Sequence, residues 1–170
     1  APRAASIYAK SDDCVVWALD RETFNNIVKE ASMKKREKYV SFLSNVEILK
    51  TLNDYEINLI ADAIREEKVA KDEFIIKQGE SGDKFYILEE GKAVAIKTFN
   101  EDNITEVVYS YSEGSYFGEL ALIKDEPRAA SVKAVLDCKF LSLDRMSFKR
   151  LLGPLLNLLK KNSELYQKFS

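Results

Sequence analysis

Histidine is absent from this 170-residue chain. That omission removes imidazole metal sites and Ser-His-Asp or Cys-His catalysis, which use histidine as ligand or base near neutral pH. It also disposes of a small β-barrel metalloenzyme built on a histidine triad. Cysteine is scarce: Cys14 and Cys138 are the two present, each in an apolar run, which makes no disulfide framework and suggests two small buried hydrophobes of a reduced, intracellular protein. All six glycines lie from Gly79 onward, so glycine punctuation begins only there. No apolar run approaches the roughly 20 residues of a membrane-spanning helix, and Ala1-Pro2-Arg3 does not open a signal peptide. Charge of one sign is lacking too. With 26 Lys and Arg against 28 Asp and Glu, no global field draws the chain to nucleic acid or an acidic membrane, so any anion site must be local. No isolated pair of carboxylates stands out in an apolar setting. The expectation is a cytoplasmic, non-enzymatic protein with no metal.

What is present is organised in two styles. Asp20 caps a helix whose apolar positions Phe24, Ile27, Val28 and Ala31 recur at helical spacing, with Tyr39, Phe42 and Leu43 resuming that face. The run Lys34-Lys35-Arg36-Glu37-Lys38 reads as its solvated side. A second helix covers 54–64, with Ile57, Ile60, Ala61 and Ile64 on one side. The period then changes. Short apolar segments at 74–76, 85–88, 93–96, 107–111, 132–136 and 140–143 alternate with turns such as Gly79-Glu80-Ser81-Gly82-Asp83, as a β-sandwich or jelly-roll barrel requires. Beyond it Asp144 caps a short helix ending near Gly153, and Pro154 suits the first turn of a final amphipathic helix carrying Leu155, Leu158, Leu159, Leu165, Tyr166 and Phe169. The fold class is therefore α+β.

The two ends of the chain repeat each other. Pro2-Arg3-Ala4-Ala5-Ser6 recurs as Pro127-Arg128-Ala129-Ala130-Ser131, an offset of 127 minus 2, or 125. Asp13-Cys14, Leu19-Asp20-Arg21 and Phe24 recur as Asp137-Cys138, Leu143-Asp144-Arg145 and Phe148, an offset of 137 minus 13, or 124. The first copy opens in the middle of its motif, which points to a piece of a longer protein with tandem modules. Cys14-Val15-Val16-Trp17 is strand-like and apolar, and without its own sheet it should be poorly ordered or packed on another chain.

Between strands lies Phe117-Gly118-Glu119-Leu120-Ala121-Leu122, followed by Pro127-Arg128-Ala129-Ala130-Ser131. Gly118 frees the backbone for close approach, the amides opening a short helix can donate to anionic oxygen, and Arg128 can fork onto a phosphate. Glu119 would repel a bare phosphate but can accept from a sugar hydroxyl. The pair suggests a phosphorylated ribose, against the plainer alternative of an exposed Glu119–Arg128 ion pair on a turn.

This segment resembles the phosphate-binding cassette of cyclic-nucleotide-binding domains, and FGELAL followed by PRAAS resembles the cassette of regulatory subunits of cAMP-dependent protein kinase. The resemblance implies a jelly-roll barrel with flanking N- and C-terminal helices: residues 1–19 the tail of a first nucleotide domain, 20–43 a connecting helix, and 44–170 a complete second domain. It implies that Glu119 holds the ribose 2′-hydroxyl of cAMP and Arg128 the cyclic phosphate, that Gly118, Leu120, Ala121 and Ala130 contribute backbone groups, and that Tyr166 stacks on adenine from the final helix. Ala129 stands where cassettes of cGMP-dependent kinases often place threonine, which favours cAMP. Asp83 matches an acidic residue that orients the cassette arginine, and Tyr55 an aromatic that caps the preceding domain's nucleotide. The implied partner is the kinase catalytic subunit, released when cAMP binds, with no nucleic acid and no membrane. A cGMP-dependent kinase and a bacterial-type transcription activator share such domains and remain as alternatives.

Overall fold

A computed structural model describes residues 4–99 and 104–167, with the side chains of 162–167 excepted. The chain divides into two compact units, 1–35 and 36–170. In the first, residues 4–20 form no helix or strand and the helix α1 (Arg21–Leu43) begins. Asp20 caps it as expected, its carboxylate accepting from the Thr23 amide at 2.8 Å and from the Thr23 hydroxyl at 2.6 Å. The expected burial fails there. Cys14 is exposed rather than buried, Cys14-Val15-Val16-Trp17 is not a strand, and Trp17 is 99% exposed.

The second unit is built on two antiparallel sheets. After the last turns of α1 and a 3-10 turn at Glu47–Leu49, α2 (Asp54–Ala63) starts at Asn53, which makes a reciprocal capping box with Glu56. The strands are β1 (Arg65–Val69), β2 (Phe74–Ile76), β3 (Lys84–Glu90), β4 (Ala93–Phe99), β5 (Ile104–Tyr111), β6 (Tyr116–Phe117), β7 (Ser131–Ala134) and β8 (Cys138–Asp144). They pair in the orders β1-β8-β3-β6 and β2-β7-β4-β5. Between β6 and β7 lies α3 (Glu119–Lys124), and after β8 come α4 (Arg145–Leu151), a 3-10 turn at Gly153–Leu155 and α5 (Leu156–Gln167). The sheet β1-β8-β3-β6 is covered on both faces, which explains the uninterrupted apolar run of β3. Phe85 and Ile87 pack with Leu141, Leu143 and the helices, whereas Tyr86 and Leu88 join Phe140, Phe117 and the small residues Ala93 and Ala95 of the facing sheet.

Several expectations are revised. β1 reads Arg-Glu-Glu-Lys-Val, an edge strand too charged to show alternation, and β6 is two residues long. β7 stops at Ala134, leaving Val135 and Leu136 exposed. The lysine run is only partly a solvated side: Arg36 pairs with Asp62 at 2.5 Å and Lys38 with the buried Glu89 at 2.8 Å, whose other oxygen lies 3.1 Å from Lys139. Nearby, the Tyr39 hydroxyl donates to Glu66 at 2.7 Å. Pro154 sits in the 3-10 turn rather than in α5, and Leu158 faces outward while Leu155 and Leu159 are buried. The side chain of Tyr166 and all of Phe169 lie outside the described residues, as does Arg3. Among the described residues no helix is long and apolar enough to cross a membrane, and no group of His, Cys, Asp or Glu could hold a metal ion.

Candidate functional site

The glycine between β6 and α3 fixes the site. Gly118 is the residue before α3 and has φ +89°, a conformation that side chains resist. A Cβ there would also lie 2.6 Å from Arg128 Nη1 and 2.9 Å from the Lys84 carbonyl oxygen. The chain therefore turns directly into α3, carrying Glu119 inward, and α3 leaves through Asp125, itself left-handed at φ 57°. Gly82 is equally constrained from the other side, because a Cβ on it would approach Ala121 Cβ to 2.3 Å.

Arg128 reaches back across this junction. Its Nη1 donates to the Gly118 carbonyl at 2.9 Å and its Nη2 to the Lys84 carbonyl at 2.8 Å, while the guanidinium lies 6.0 Å from the Tyr86 ring centroid. Burial disfavours its charge, and Tyr86, Asp83 and Glu119 favour it. Asp83 thus acts on Arg128 through space from an exposed position. The hydrogen bonds that hold the guanidinium go to two backbone carbonyls, which carry no sequence signal.

Glu119 and Arg128 are each only 4% exposed, and among the described residues they form no ion pair with each other. The surface-turn alternative is thereby excluded. Burial pushes the Glu119 carboxyl up to about 7, against the opposing influence of its backbone hydrogen bond and of Arg128. A carboxylate kept in so dry a place without a cation partner costs folding free energy unless something donates to it.

Both residues line one cavity of about 430 Å³, together with Gly118, Leu120, Ala121, Ala129 and Ala130. Seven of the eight expected positions therefore come together, and the eighth, Tyr166, has a described backbone within α5 only. Tyr55, in α2, is 72% exposed. Sequence reading missed the opposite wall, where Lys97, Tyr109 and Tyr111 enter from β4 and β5. It also missed Arg145, which donates to the Asp125 carboxylate at 2.5 Å and to the Gly82 carbonyl at 2.6 Å, bracing both the end of α3 and the loop against Arg128.

Residues 66–153 match the family described as Cyclic nucleotide-binding domain. The cAMP-dependent protein kinase regulatory subunit of Emericella nidulans is 45% identical over 161 residues, 95% of this chain and 38% of that protein. The chain thus spans about two-fifths of the length of the curated relatives it matches. A structure of the regulatory domain of Toxoplasma gondii PKA with cAMP superposes with a TM-score of 0.82 at 50% identity, covering 87% of this chain and 57% of that one. The regulatory subunit of a cAMP-independent protein kinase A from Trypanosoma brucei, mutated from Glu to Ala, Thr to Arg and Val to Ala and bound to cAMP in the A site, matches with a TM-score of 0.75 at 32% identity over 89% of this chain and 57% of that one. Its introduced arginine stands seven residues after the first introduced alanine, and the second alanine follows directly.

Proposed function

The chain belongs to the cyclic nucleotide-binding domain family, and from that premise we propose that the cavity beside α3 binds cAMP. One observation carries the reading: a carboxyl and a guanidinium are buried side by side on one cavity without pairing, each keeping capacity for a ligand that is both sugar and phosphate. Arg128 takes the cyclic phosphate and Glu119 accepts from the ribose 2′-hydroxyl. Gly118, Leu120, Ala121 and Ala130 supply backbone groups, and Tyr166 closes the base side from α5. Ala121, Arg128 and Ala129 have the spacing, 128 minus 121 or seven and then one, of the replacements carried by the cAMP-bound trypanosomal protein, which supports cAMP over other nucleotides. Ala129 offers no hydroxyl to a guanine amino group.

The wider reading rests on the relatives. The chain is the second nucleotide domain of a cytoplasmic protein kinase regulatory subunit, its two sheets the halves of a jelly-roll barrel, with 1–19 the tail of a first domain and 20–43 the connecting helix. Nucleotide binding draws α3 inward and moves α4 and α5 against the sheets, which shifts the population away from the state that holds a kinase catalytic subunit.

Calorimetry with cAMP and cGMP tests the site. Arg128→Ala leaves a phosphate desolvated and unpaired, at a cost of about 3 to 5 kcal/mol, or roughly a hundred- to several-thousandfold in affinity. Arg128→Lys should lose less, since it keeps the charge and drops the fork. The acceptor role of Glu119 needs its ionised form, so cAMP affinity should rise as pH climbs through about 7. An Arg128→Ala variant binding cAMP within about threefold of the parent, roughly 0.7 kcal/mol, would overturn the reading.

A further inference from the structure

The wall of the cavity facing the cassette is aromatic, and a bulge puts it there. β5 pairs with β4 in two registers: Ile96 stands opposite Val107, whereas Ala95 stands opposite Tyr109 and Ala93 opposite Tyr111. Val108 is the extra residue between them. Strict alternation would set Val107 and Tyr109 on one face, but the bulge separates them. Val107 is turned to solvent at 61% exposure, and Tyr109 comes to the face of the buried Ala95, where both line the cavity. Residues opposite each other on paired strands share a face, so Ala93 and Ala95 leave the room that two tyrosine rings need.

These rings continue inward as a connected series. Tyr109 lies 4.9 Å from Tyr111 between centroids, Tyr111 lies 5.0 Å from Phe117, and Phe117 stacks on Tyr86 at 5.2 Å with 16° between planes. Tyr86 is the ring beneath the Arg128 guanidinium. Tyr109 is the outermost member and is 41% exposed, so the cavity keeps access to it, while Tyr111 is half-buried behind it. A second cavity of about 320 Å³, lined by Asn45, Glu47, Glu113 and Ser115, also borders Tyr109.

The cassette supplies the groups suited to sugar and phosphate, and what the cavity has left is a chiefly apolar and aromatic wall. We propose that Tyr109, backed by Tyr111, is a base-docking residue: a fixed aromatic platform on β5 against which the purine of the bound nucleotide lies. The proposal rests on the cavity being a cyclic-nucleotide site and adds which strand reads the base. A platform held by the sheet is in place before any movement of α5, so base contact does not wait for closure of the final helix. The ring face makes this contact and the hydroxyl is dispensable to it.

The test uses the whole chain and two probes, cAMP and the base-free methyl ribofuranoside 3′,5′-cyclic phosphate. Tyr109→Leu should weaken cAMP about ten- to a hundredfold, the range of one base–aromatic stack, and leave the base-free probe within twofold. Tyr109→Phe should keep both within about twofold of the parent. An equal loss for both probes in Tyr109→Leu would make Tyr109 a structural support, and unchanged cAMP affinity would remove it from the base; either result overturns the proposal. Loss of cAMP in Tyr109→Phe equal to that in Tyr109→Leu overturns stacking as the contact. A parent chain that binds neither probe overturns the nucleotide reading itself, which separates that failure from this one.

Discussion

Cys138 is 4% exposed and Phe148 is fully buried, whereas their counterparts in the repeat, Cys14 and Phe24, are exposed, the phenylalanine to 55%. Leu143 and Leu19 differ in the same way, at 1% and 56%. Helix capping does not differ. Asp144 accepts from the Ser147 amide at 2.8 Å, and Asp20 accepts from the Thr23 amide at 2.8 Å. A cap needs only three residues of chain, so it forms wherever the motif occurs. Burial needs partners distant in sequence: residues 138–144 are a strand because β1 and β3 flank them, and Phe148 is buried because its ring meets Phe85, 5.2 Å away. The same local sequence therefore specifies the helix start in both places and the core in one.

The largest expected effect tests that contrast. Phe148→Ala should destabilise the chain by about 3 to 5 kcal/mol through the transfer and cavity terms of a buried ring. Phe24→Ala should stay within about 0.5 kcal/mol, as an exposed position does. Urea unfolding followed by far-UV circular dichroism measures both. A loss at Phe24 comparable to that at Phe148 would mean that residues 4–28 bury their apolar side chains in solution.

The same distinction explains what the sequence discloses. Caps at Asp20 and Asp144, the apolar run of β3, and the glycine opening α3 are local signals, and each leads to the right element. Glu119 and Arg128 are legible because their chemistry is unusual together within one short segment. β1 is not, since an edge strand of Arg-Glu-Glu-Lys owes its place to β8 and not to its own hydropathy. Nor are the Gly118 and Lys84 carbonyls that hold Arg128, because every residue has a carbonyl. The exposure of Cys14 reverses its expected burial for the converse reason: an apolar neighbourhood in sequence was read as one in space.

A second prediction carries the comparison to the site. Arg145 bridges Asp125 and the Gly82 carbonyl, and Gly82 sits so near Arg128 that a Cβ on it would lie 3.1 Å from Cζ. Arg145→Ala should loosen the loop behind Arg128 and weaken cAMP binding by roughly 1 to 2 kcal/mol, about five- to thirtyfold. Its repeat counterpart Arg21 is exposed, and Arg21→Ala should leave affinity unchanged. Calorimetry on the two variants decides. Equal behaviour would show that Arg145 does not reach the nucleotide through Gly82.

The smallest effect is the one in which the copies should agree first and then part. The Thr23 hydroxyl and amide hold the Asp20 carboxyl below its usual 3.8, and the Ser147 amide does the same for Asp144, against a small opposing desolvation in each. A lowered carboxyl favours the folded form while ionised. Each cap's contribution is therefore complete above the ordinary 3.8 and is lost as pH falls through the lower folded value. Carboxyl chemical shifts followed by NMR should show both residues titrating below 3.8. The consequences then diverge, because α4 sits on the core through Phe148 and the first turns of α1 carry exposed Phe24 and Ile27. Asp144→Ala should lower the urea midpoint of the whole chain, and Asp20→Ala should speed amide exchange only in the first turn of α1. A fall in the global midpoint for Asp20→Ala matching that for Asp144→Ala would contradict the view that the first copy folds as a local cap without a core.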